Sequence, residues 1–558
     1  MKIAVNLPVG ERFWNVIALT ISLLVVVFYA LILAIYSYNF PFYDDYIAVL
    51  EVVEKWLSST DVSEKISVLF EQHNEHRILY IRLISLFDYY LRGSVHFTDL
   101  IWVGNVSLLV WLFLLFKSID FFQNNLKYWV LIPVVLLVFQ FQSWDNTFWS
   151  MASLANFGIH AWVALAIYGA VRPGKWAWLG TVFSTLMALG TIGSGLFLIP
   201  IVLAVWAVQR RFREIIFGSI FMILAVIGYF YGYHQPPNYP SIGYTIAHAH
   251  WGQLALFWAS FLGSNFYHPA IPFVAPLVGG TGILWFLFLT YQKYFLKKTY
   301  LYAILAFLVL TAVVVALNRY GRGIEGAYPS RYRMNSSLFL ALSFLTVVDW
   351  VATPLKKWVI GLGIIGTAGL YAVSVVVYLP RIENNKELRV ADNWLYQHGL
   401  PIAGSYRLKD ANDMLIKSVK EGLFLPPALP NLLSEQESLA KIEKGMKVRA
   451  DTILQNKLVE YDIDWLKNVD NQIALRGWVK FNQPGVVLKE VWVVSGNKVA
   501  YSTLFQKRYD LFEKHHHVQY QDTGFLGVLP SGVSLHSPNR WYLVAVGSNG
   551  QRVILPPK

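Results

Sequence analysis

The sequence predicts a polytopic α-helical membrane protein that carries an extracytoplasmic β-sandwich domain near its C-terminal end. Three observations lead there. The 558 residues are 56% hydrophobic and only 14% charged, whereas soluble domains carry about 25% charged residues. The apolar residues recur in stretches long enough to cross a bilayer. From about residue 470 the pattern changes to short alternating runs separated by turn residues, as antiparallel strands require.

The first apolar stretch, Trp14 to Tyr36, is too long for a signal-peptide core. No small-residue cleavage pattern follows it, so it reads as a retained first span. About eleven spans emerge in all, near 14–37, 98–116, 128–141, 153–170, 176–190, 196–208, 215–233, 271–292, 300–317, 336–353 and 358–378. Alternate short loops hold Lys117 and Lys127, then Arg172 and Lys175, Arg210 to Arg213, Lys293 to Lys298, and Lys356 with Lys357. The positive-inside rule assigns these loops, with the N-terminus, to the cytoplasm. The loops at 38–97, 142–152, 191–195, 234–268 and 318–335, and the tail after about 380, then lie outside. The apolar segment 251–266 must be an interfacial or re-entrant helix, because a full span there would put the basic 293–298 on the outer side.

Three regions follow from this organisation: a transmembrane domain over 1–380, a mixed helical and Pro-rich connection over 381–465, and the β-sandwich over 466–558. Within the first, 38–97 is a large external loop. The periodic apolar positions of "YIAVLEVVEKWL" and "HRILYIRLISLFDYYL" predict amphipathic helices lying along the interface. The chain has no cysteine, which excludes disulfides, thiolate catalysis and Cys-ligated zinc. The net charge of +12 partly reflects cytoplasmic anchoring residues and implies no nucleic-acid partner. The 21 tryptophans suit interfacial belts, and some could stack on sugars or lipid.

Charges cluster at the outer rim. Asp44 and Asp45 follow the first span within "FPFYDDYIAV". They suit either the first turn of a helix or a general base or metal-binding carboxylate. "EQHNEHRIL" carries His73, Glu75, His76 and Arg77, and a helix would set His73 and His76 on one face. The cluster suits a solvated segment or a polar site for sugar hydroxyls or phosphate. A metal on His73 and His76 is a weaker reading. "NRYGRGIEGAYPSRYRMNSS" places Arg319, Arg322, Arg331 and Arg333 in a short loop on the outer side, against the charge rule. A bound anion would offset them, since the guanidinium fork matches phosphate. Salt bridges to Glu325 and the tail are the other explanation. "TIGSGLFLIP" could line a cavity, and "EKHHH" reads as a solvated loop in the tail.

With an acidic pair in a large first external loop, a multi-span bundle and an extracytoplasmic C-terminal domain, the chain resembles the GT-C class of integral-membrane glycosyltransferases. "EHR" (75–77) and "SRY" (330–332) resemble bacterial members that modify surface glycans, lipopolysaccharide O-antigen among them. The resemblance implies an enzyme of the cytoplasmic (inner) membrane, with its C-terminal domain periplasmic or extracellular. It would use a polyprenyl-phosphate-linked sugar, such as an undecaprenyl phosphate sugar, and an envelope glycan or lipid-linked acceptor. In that frame Asp44 or Asp45 deprotonates the acceptor hydroxyl. Arg331, with Arg319 or Arg322, holds the donor phosphate. Glu75, His76, Arg77, Tyr332 and His73 orient sugar or acceptor. No cofactor is required, although some members place a divalent metal (Mg2+ or Mn2+) on the first-loop acid, for which Asp45 and His73 would serve. "RGWVKF", "RYDLF" and "DTGFLGVLP" resemble β-sandwich modules of envelope glycosyltransferases, which suggests acceptor binding or a stabilising role for the tail. The alternative function is a lipid-linked glycan flippase, but that would place ionisable groups at mid-membrane, and the predicted spans are nearly free of them.

Overall fold

The computed structural model describes residues 9–119, 124–235, 242–247, 250–397, 402, 408–428, 458–469, 472–495, 498–502, 504–506, 523–529 and 541–555. "EKHHH", "RYDLF" and residues 429–457 of the Pro-rich connection lie outside them. The chain forms two compact units. One comprises residues 1–37, 44–379 and 420–424, the other 38–43, 380–419 and 425–558.

The helical unit starts with α1 (Val9–Tyr36). A π-helical turn (Tyr46–Leu50), α2 (Glu51–Ser58) and α3 (Val62–Phe70) follow. A small hairpin, β1 (Gln72–His73) and β2 (His76–Arg77), then leads into α4 (Leu79–Arg92). The next helices are α5 (Phe97–Ser118), α6 (Asn124–Val138), α7 (Trp144–Phe148), α8 (Ser150–Ala170) and α9 (Lys175–Leu189). After them come α10 (Leu198–Val208), α11 (Phe212–Phe230), α12 (Ile242–Ala247), α13 (Trp251–Leu262) and α14 (Val274–Tyr291). The last are α15 (Tyr294–Lys297), α16 (Thr299–Arg319), α17 (Arg333–Trp350) and the 45-residue α18 (Thr353–Gln397), whose residues up to 379 belong to this unit and the rest to the second.

Every apolar run read from the sequence is helical. Eight helices among the described residues are long and apolar enough to cross a membrane. The remaining three predicted spans are the 15-residue α9, the shorter apolar helix 193–208, and α17, whose first turns are polar. The 251–266 segment forms the 12-residue α13. It rises about 18 Å, well short of the ~30 Å hydrocarbon core, as a non-spanning helix must.

α13 packs on α14 at backbone contact. A Cβ added to Gly279 would lie 1.8 Å from the Ala259 carbonyl oxygen, so only glycine allows that approach. In the first loop, α4 buries Tyr80, Ile81, Ser85 and Leu86 and turns Phe87, Tyr90 and Leu91 outward. That two-sided apolar pattern suits a helix lying on a membrane surface.

In the second unit, Asn393 donates to the Tyr38 hydroxyl at 2.7 Å and to the Pro427 carbonyl at 2.9 Å. α19 (Leu408–Lys420) ends beside the boundary of this unit. The tail is a β-sandwich of two four-stranded antiparallel sheets. Its strands are β3 (Val459–Val469), β4 (Gln472–Phe481), β5 (Leu488–Ser495), β6 (Lys498–Ser502), β7 (Leu504–Gln506), β8 (Gly524–Leu529), β9 (Trp541–Gly547) and β10 (Arg552–Leu555). The orders are β3-β4-β8-β7 and β10-β9-β5-β6. Leu475, Val479 and Phe525 of one sheet meet Val491, Leu543 and Val553 of the other in a shared core. The first strand, β3, begins at Val459, ahead of the expected start at 466.

Gly279→Ala is expected to destabilise the protein by about 1–3 kcal/mol, the range for overpacked contacts. Thermal unfolding in detergent checks it. An unchanged midpoint would mean that α13 and α14 do not touch.

Candidate active site

The residues between α6 and α8 carry one end of the helical unit. The loop expected at 142–152 is mostly buried, as are the residues just before it: Ser143, Asn146, Thr147 and Ser150 are 0% exposed, Gln140 1% and Gln142 2%. Backbone and amides shut away from water need partners, and this segment finds them on every neighbouring element. The Asn105 amide donates to the Thr147 carbonyl at 2.9 Å, and the Tyr29 hydroxyl lies 3.1 Å from that of Thr147. Ser330 Oγ donates to the Gln142 carbonyl at 2.9 Å and accepts from the Asp145 amide at 3.1 Å. Asn146 Nδ2 donates to the Arg331 carbonyl at 2.8 Å, while its Oδ1 accepts from Asn156 at 3.0 Å.

The two aspartates have different surroundings. Asp45 is 0% exposed, and its Oδ1 accepts the Met151 backbone N–H at 3.0 Å. Met151 lies in the first turn of α8, so this carboxylate satisfies a helix N-terminus and meets its dipole. Asp44 is half-buried, and its backbone carbonyl accepts from Ile47 (3.1 Å) and Ala48 (2.7 Å). The turn before it is strained, with Tyr43 at φ 47°, and a π-helical turn follows. Such local departures collect at functional sites.

The "EQHNEHR" cluster is a hairpin, which corrects the helical expectation for His73 and His76. The two histidines face each other across the strands, and Asn74 supplies the left-handed turn residue at φ 49°. Arg77 is committed to structure. Its guanidinium donates to the Phe70, Tyr229 and Tyr231 carbonyls, capping the ends of α3 and α11. Arg82, which no sequence motif marks, does the same for Val68, Leu69 and Glu71. Its burial pushes its pKa down to about 10.

Glu75, His76 and Arg319 come together. Arg319 Nη2 lies 2.6 Å from Glu75 Oε1, with both side chains mostly buried, and His76 Nε2 lies 3.7 Å from the same oxygen. His76 Nδ1 accepts the Gly193 amide at 3.2 Å. A Cβ on Gly193 would lie 2.9 Å from that Nδ1, so the "TIGSG" turn needs glycine there. Burial holds the His76 pKa below its ordinary 6.5. Arg319 also lowers it, and Glu75 opposes the shift. With Nδ1 accepting, the neutral ring carries its proton on Nε2, toward Glu75.

The four arginines of the late loop therefore divide. Arg319 is ion-paired with Glu75. Arg333 is buried and donates to the Tyr328 carbonyl, Gln142 Oε1 and the Tyr378 hydroxyl. The Arg322 side chain lies outside the described residues. Arg331 is half-buried beside the Tyr332 ring at 5.3 Å, and its buried Nε has no hydrogen-bond partner among the described residues. The structure thus joins Glu75, His76, Arg319 and Gly193 in one cluster. It hangs Asp45 and Arg331 on the 140–151 segment in another.

Asp45 Oδ1 is engaged by Met151, and among the described residues no group of three or more histidines or carboxylates is placed to hold a metal ion.

Two predictions follow from this geometry. Asp45→Ala should cost about 1–2 kcal/mol of stability, as lost helix caps do, and an unchanged thermal midpoint would overturn the assignment. A histidine whose folded pKa is depressed stabilises above its unfolded value and loses that contribution as pH falls. The unfolding midpoint should therefore drop as pH is lowered from about 7.5 to 5.5, through the reference value. Part of that drop should vanish in His76→Asn, whose side-chain oxygen can still accept from Gly193. An identical pH profile in the variant would contradict it.

No family model matches the chain, and no curated protein matches it. Among solved structures, it is similar to ArnT from Cupriavidus metallidurans bound to undecaprenyl phosphate, with a TM-score of 0.39 and 14% identity over 74% of this chain and 76% of that one.

Proposed function

We propose that the protein is a membrane glycosyltransferase that moves a sugar from a polyprenyl-phosphate donor to an envelope glycan or lipid-linked acceptor, at the outer face of the cytoplasmic membrane. One observation carries the reading. The acidic turn Asp44-Asp45 and Arg331 are both fastened to the buried 140–151 segment, Asp45 through Met151 and Arg331 through Asn146. A carboxylate and a phosphate-binding cation held at one end of a bundle suit group transfer from a lipid phosphate.

The two aspartates take separate roles. Asp45 fixes the turn, and Asp44 is the base. Asp44 takes the proton of the acceptor hydroxyl, whose oxygen attacks the anomeric carbon from the side opposite the phosphate. The carbon–oxygen bond to phosphate breaks, the electron pair leaves with the phosphate, and the anomeric configuration inverts. Arg331 binds the donor phosphate, and its guanidinium stabilises the charge that grows as the bond breaks. Its buried Nε, which has no hydrogen-bond partner among the described residues, would gain an acceptor in that phosphate. Tyr332, beside that guanidinium, offers a face to the sugar. Glu75 and His76 orient hydroxyls, and Arg319 is a positioning residue that holds Glu75 in place. Arg77 has no role in binding sugar, because its guanidinium is spent on carbonyls.

The test is a mass-spectrometric transfer assay. Purified protein in nanodiscs receives a panel of polyprenyl-phosphate sugars and envelope glycan acceptors. Asp44→Asn should lower turnover by about 10²–10⁴-fold, as loss of a general base does, and a chelator should leave it unchanged. Near-full turnover in Asp44→Asn would remove the base assignment. Lipid binding without turnover from any donor would favour the flippase.

A further inference from the structure

The hairpin that carries Glu75 and His76 holds a second piece of chain in place. Residues 229–234, where α11 ends, are fastened to it from both sides. Gln72 Oε1 accepts the His234 amide at 2.9 Å, and Gln72 Nε2 donates to the His234 carbonyl at 2.7 Å. The Arg77 guanidinium donates to the Tyr229 carbonyl at 2.8 Å and to that of Tyr231. Gly232, at φ 63°, makes the turn between these anchors. Tyr233 is thereby given a fixed place. Its ring stacks on Tyr229, with centroids 6.4 Å apart and planes at 23°, and meets Phe230 edge-on at 5.5 Å.

The groups beside that ring have capacity left. Tyr233 is half-buried. Burial, and after it the neighbouring Glu75 carboxylate, holds its hydroxyl pKa above the ordinary value, so the ring stays neutral beside the carboxylate. Glu75 gives Oε1 to Arg319 at 2.6 Å, and its Oε2 has no hydrogen-bond partner among the described residues. His76 Nε2 lies 3.7 Å from Glu75 Oε1, which is longer than a hydrogen bond, so its proton is not spent there. The Glu75 and His76 side chains are 22% and 27% exposed, within reach of a ligand. Gly193 lets the pieces meet: a Cβ there would lie 2.9 Å from His76 Nδ1 and 3.5 Å from the Tyr229 hydroxyl.

Together these groups offer one acceptor, one donor and an aromatic face. The charges of Glu75 and Arg319 cancel, which suits a neutral ligand better than an anion. A hydroxyl pair both donates and accepts, and the weakly positive C–H bonds of a sugar ring match the negative face of an aromatic ring. Aromatic walls with a few placed polar groups are how ligand sites fix orientation.

We infer that Tyr233, with Glu75 and His76, forms a subsite for a neutral saccharide, in which the Tyr233 ring is the platform and the carboxylate and imidazole hold hydroxyls. Its occupant is the acceptor saccharide, because Arg331 and Tyr332, assigned to the donor, belong to the other cluster. That last step rests on the transferase reading, whereas saccharide binding does not.

The test uses the full chain in nanodiscs without any donor. Saturation-transfer NMR reads binding of maltotriose, mannotriose and chitotriose, with trigalacturonate as the acidic control. At least one neutral trisaccharide should bind, through its ring C–H protons, and trigalacturonate should bind more weakly. Tyr233→Ala should weaken binding about tenfold, the scale of a lost aromatic contact, while Tyr233→Phe retains it at an unchanged thermal midpoint. If Tyr233→Ala shifts the midpoint, Tyr233→Leu, which keeps bulk without the ring face, carries the comparison. Binding by none of the neutral trisaccharides, a preference for trigalacturonate, or undiminished binding without the ring would each overturn the inference. Saccharide binding without turnover from any donor would support the subsite and count against the transferase reading.

Discussion

A break in helical backbone buried between membrane spans is tolerated only where protein supplies its hydrogen bonds, and the rest of this end of the helical unit depends on how residues 140–151, short helical turns interrupted at Gln140 and Trp149, meet that demand. Asn146 is the central piece. Fully buried, it accepts from Asn156 and donates to the Arg331 carbonyl. The same stretch takes Tyr29 and Asn105 through Thr147, and Ser330 through Gln142 and Asp145. Each bond satisfies the segment and also fixes a piece of another element. The late arginine loop and the first acidic turn thus acquire defined positions as by-products of keeping buried backbone satisfied.

Charge at this end is distributed by the same logic. A buried cation must find acceptors or an anion. Arg77 and Arg82 meet helix-end carbonyls, and Arg333 meets neutral oxygens. Arg319 meets Glu75. Among the described residues, the buried Nε of Arg331 has no hydrogen-bond partner, nor has that of Arg82. Asp45 is spent on the α8 N-terminus, and Asp44 is half-buried next to Tyr43 with its positive φ.

The spans and the sandwich were legible in the sequence because each depends on local periodicity. A helix in lipid must be apolar over its length, and a half-buried strand must alternate. The site was legible in composition only. Asp44-Asp45, "EHR" and "SRY" stood out as charges near apolar runs, but their partners lie far away in the chain. Nothing near Asp45 points to Met151, 106 residues on, or near Glu75 to Arg319, 244 residues on. His73 and His76 read as helical by spacing, whereas the Asn74 turn makes a hairpin. The burial of the loop expected at 142–152 was not legible because its amides find their partners far away in the chain. Its signal was the alternation of Phe139, Phe141, Trp144, Phe148 and Trp149 with those amides, which is too apolar for a segment meant to face water.

The most direct test is a cryo-electron-microscopy map of the protein in nanodiscs with a polyprenyl phosphate bound. The account predicts phosphate density within hydrogen-bond distance of the Arg331 guanidinium, with Asn146 still holding the Arg331 carbonyl and Asp44 facing the space beside it. Phosphate on Arg319 with its Glu75 pair broken, or at a place that touches neither Arg331 nor the 140–151 segment, would contradict it.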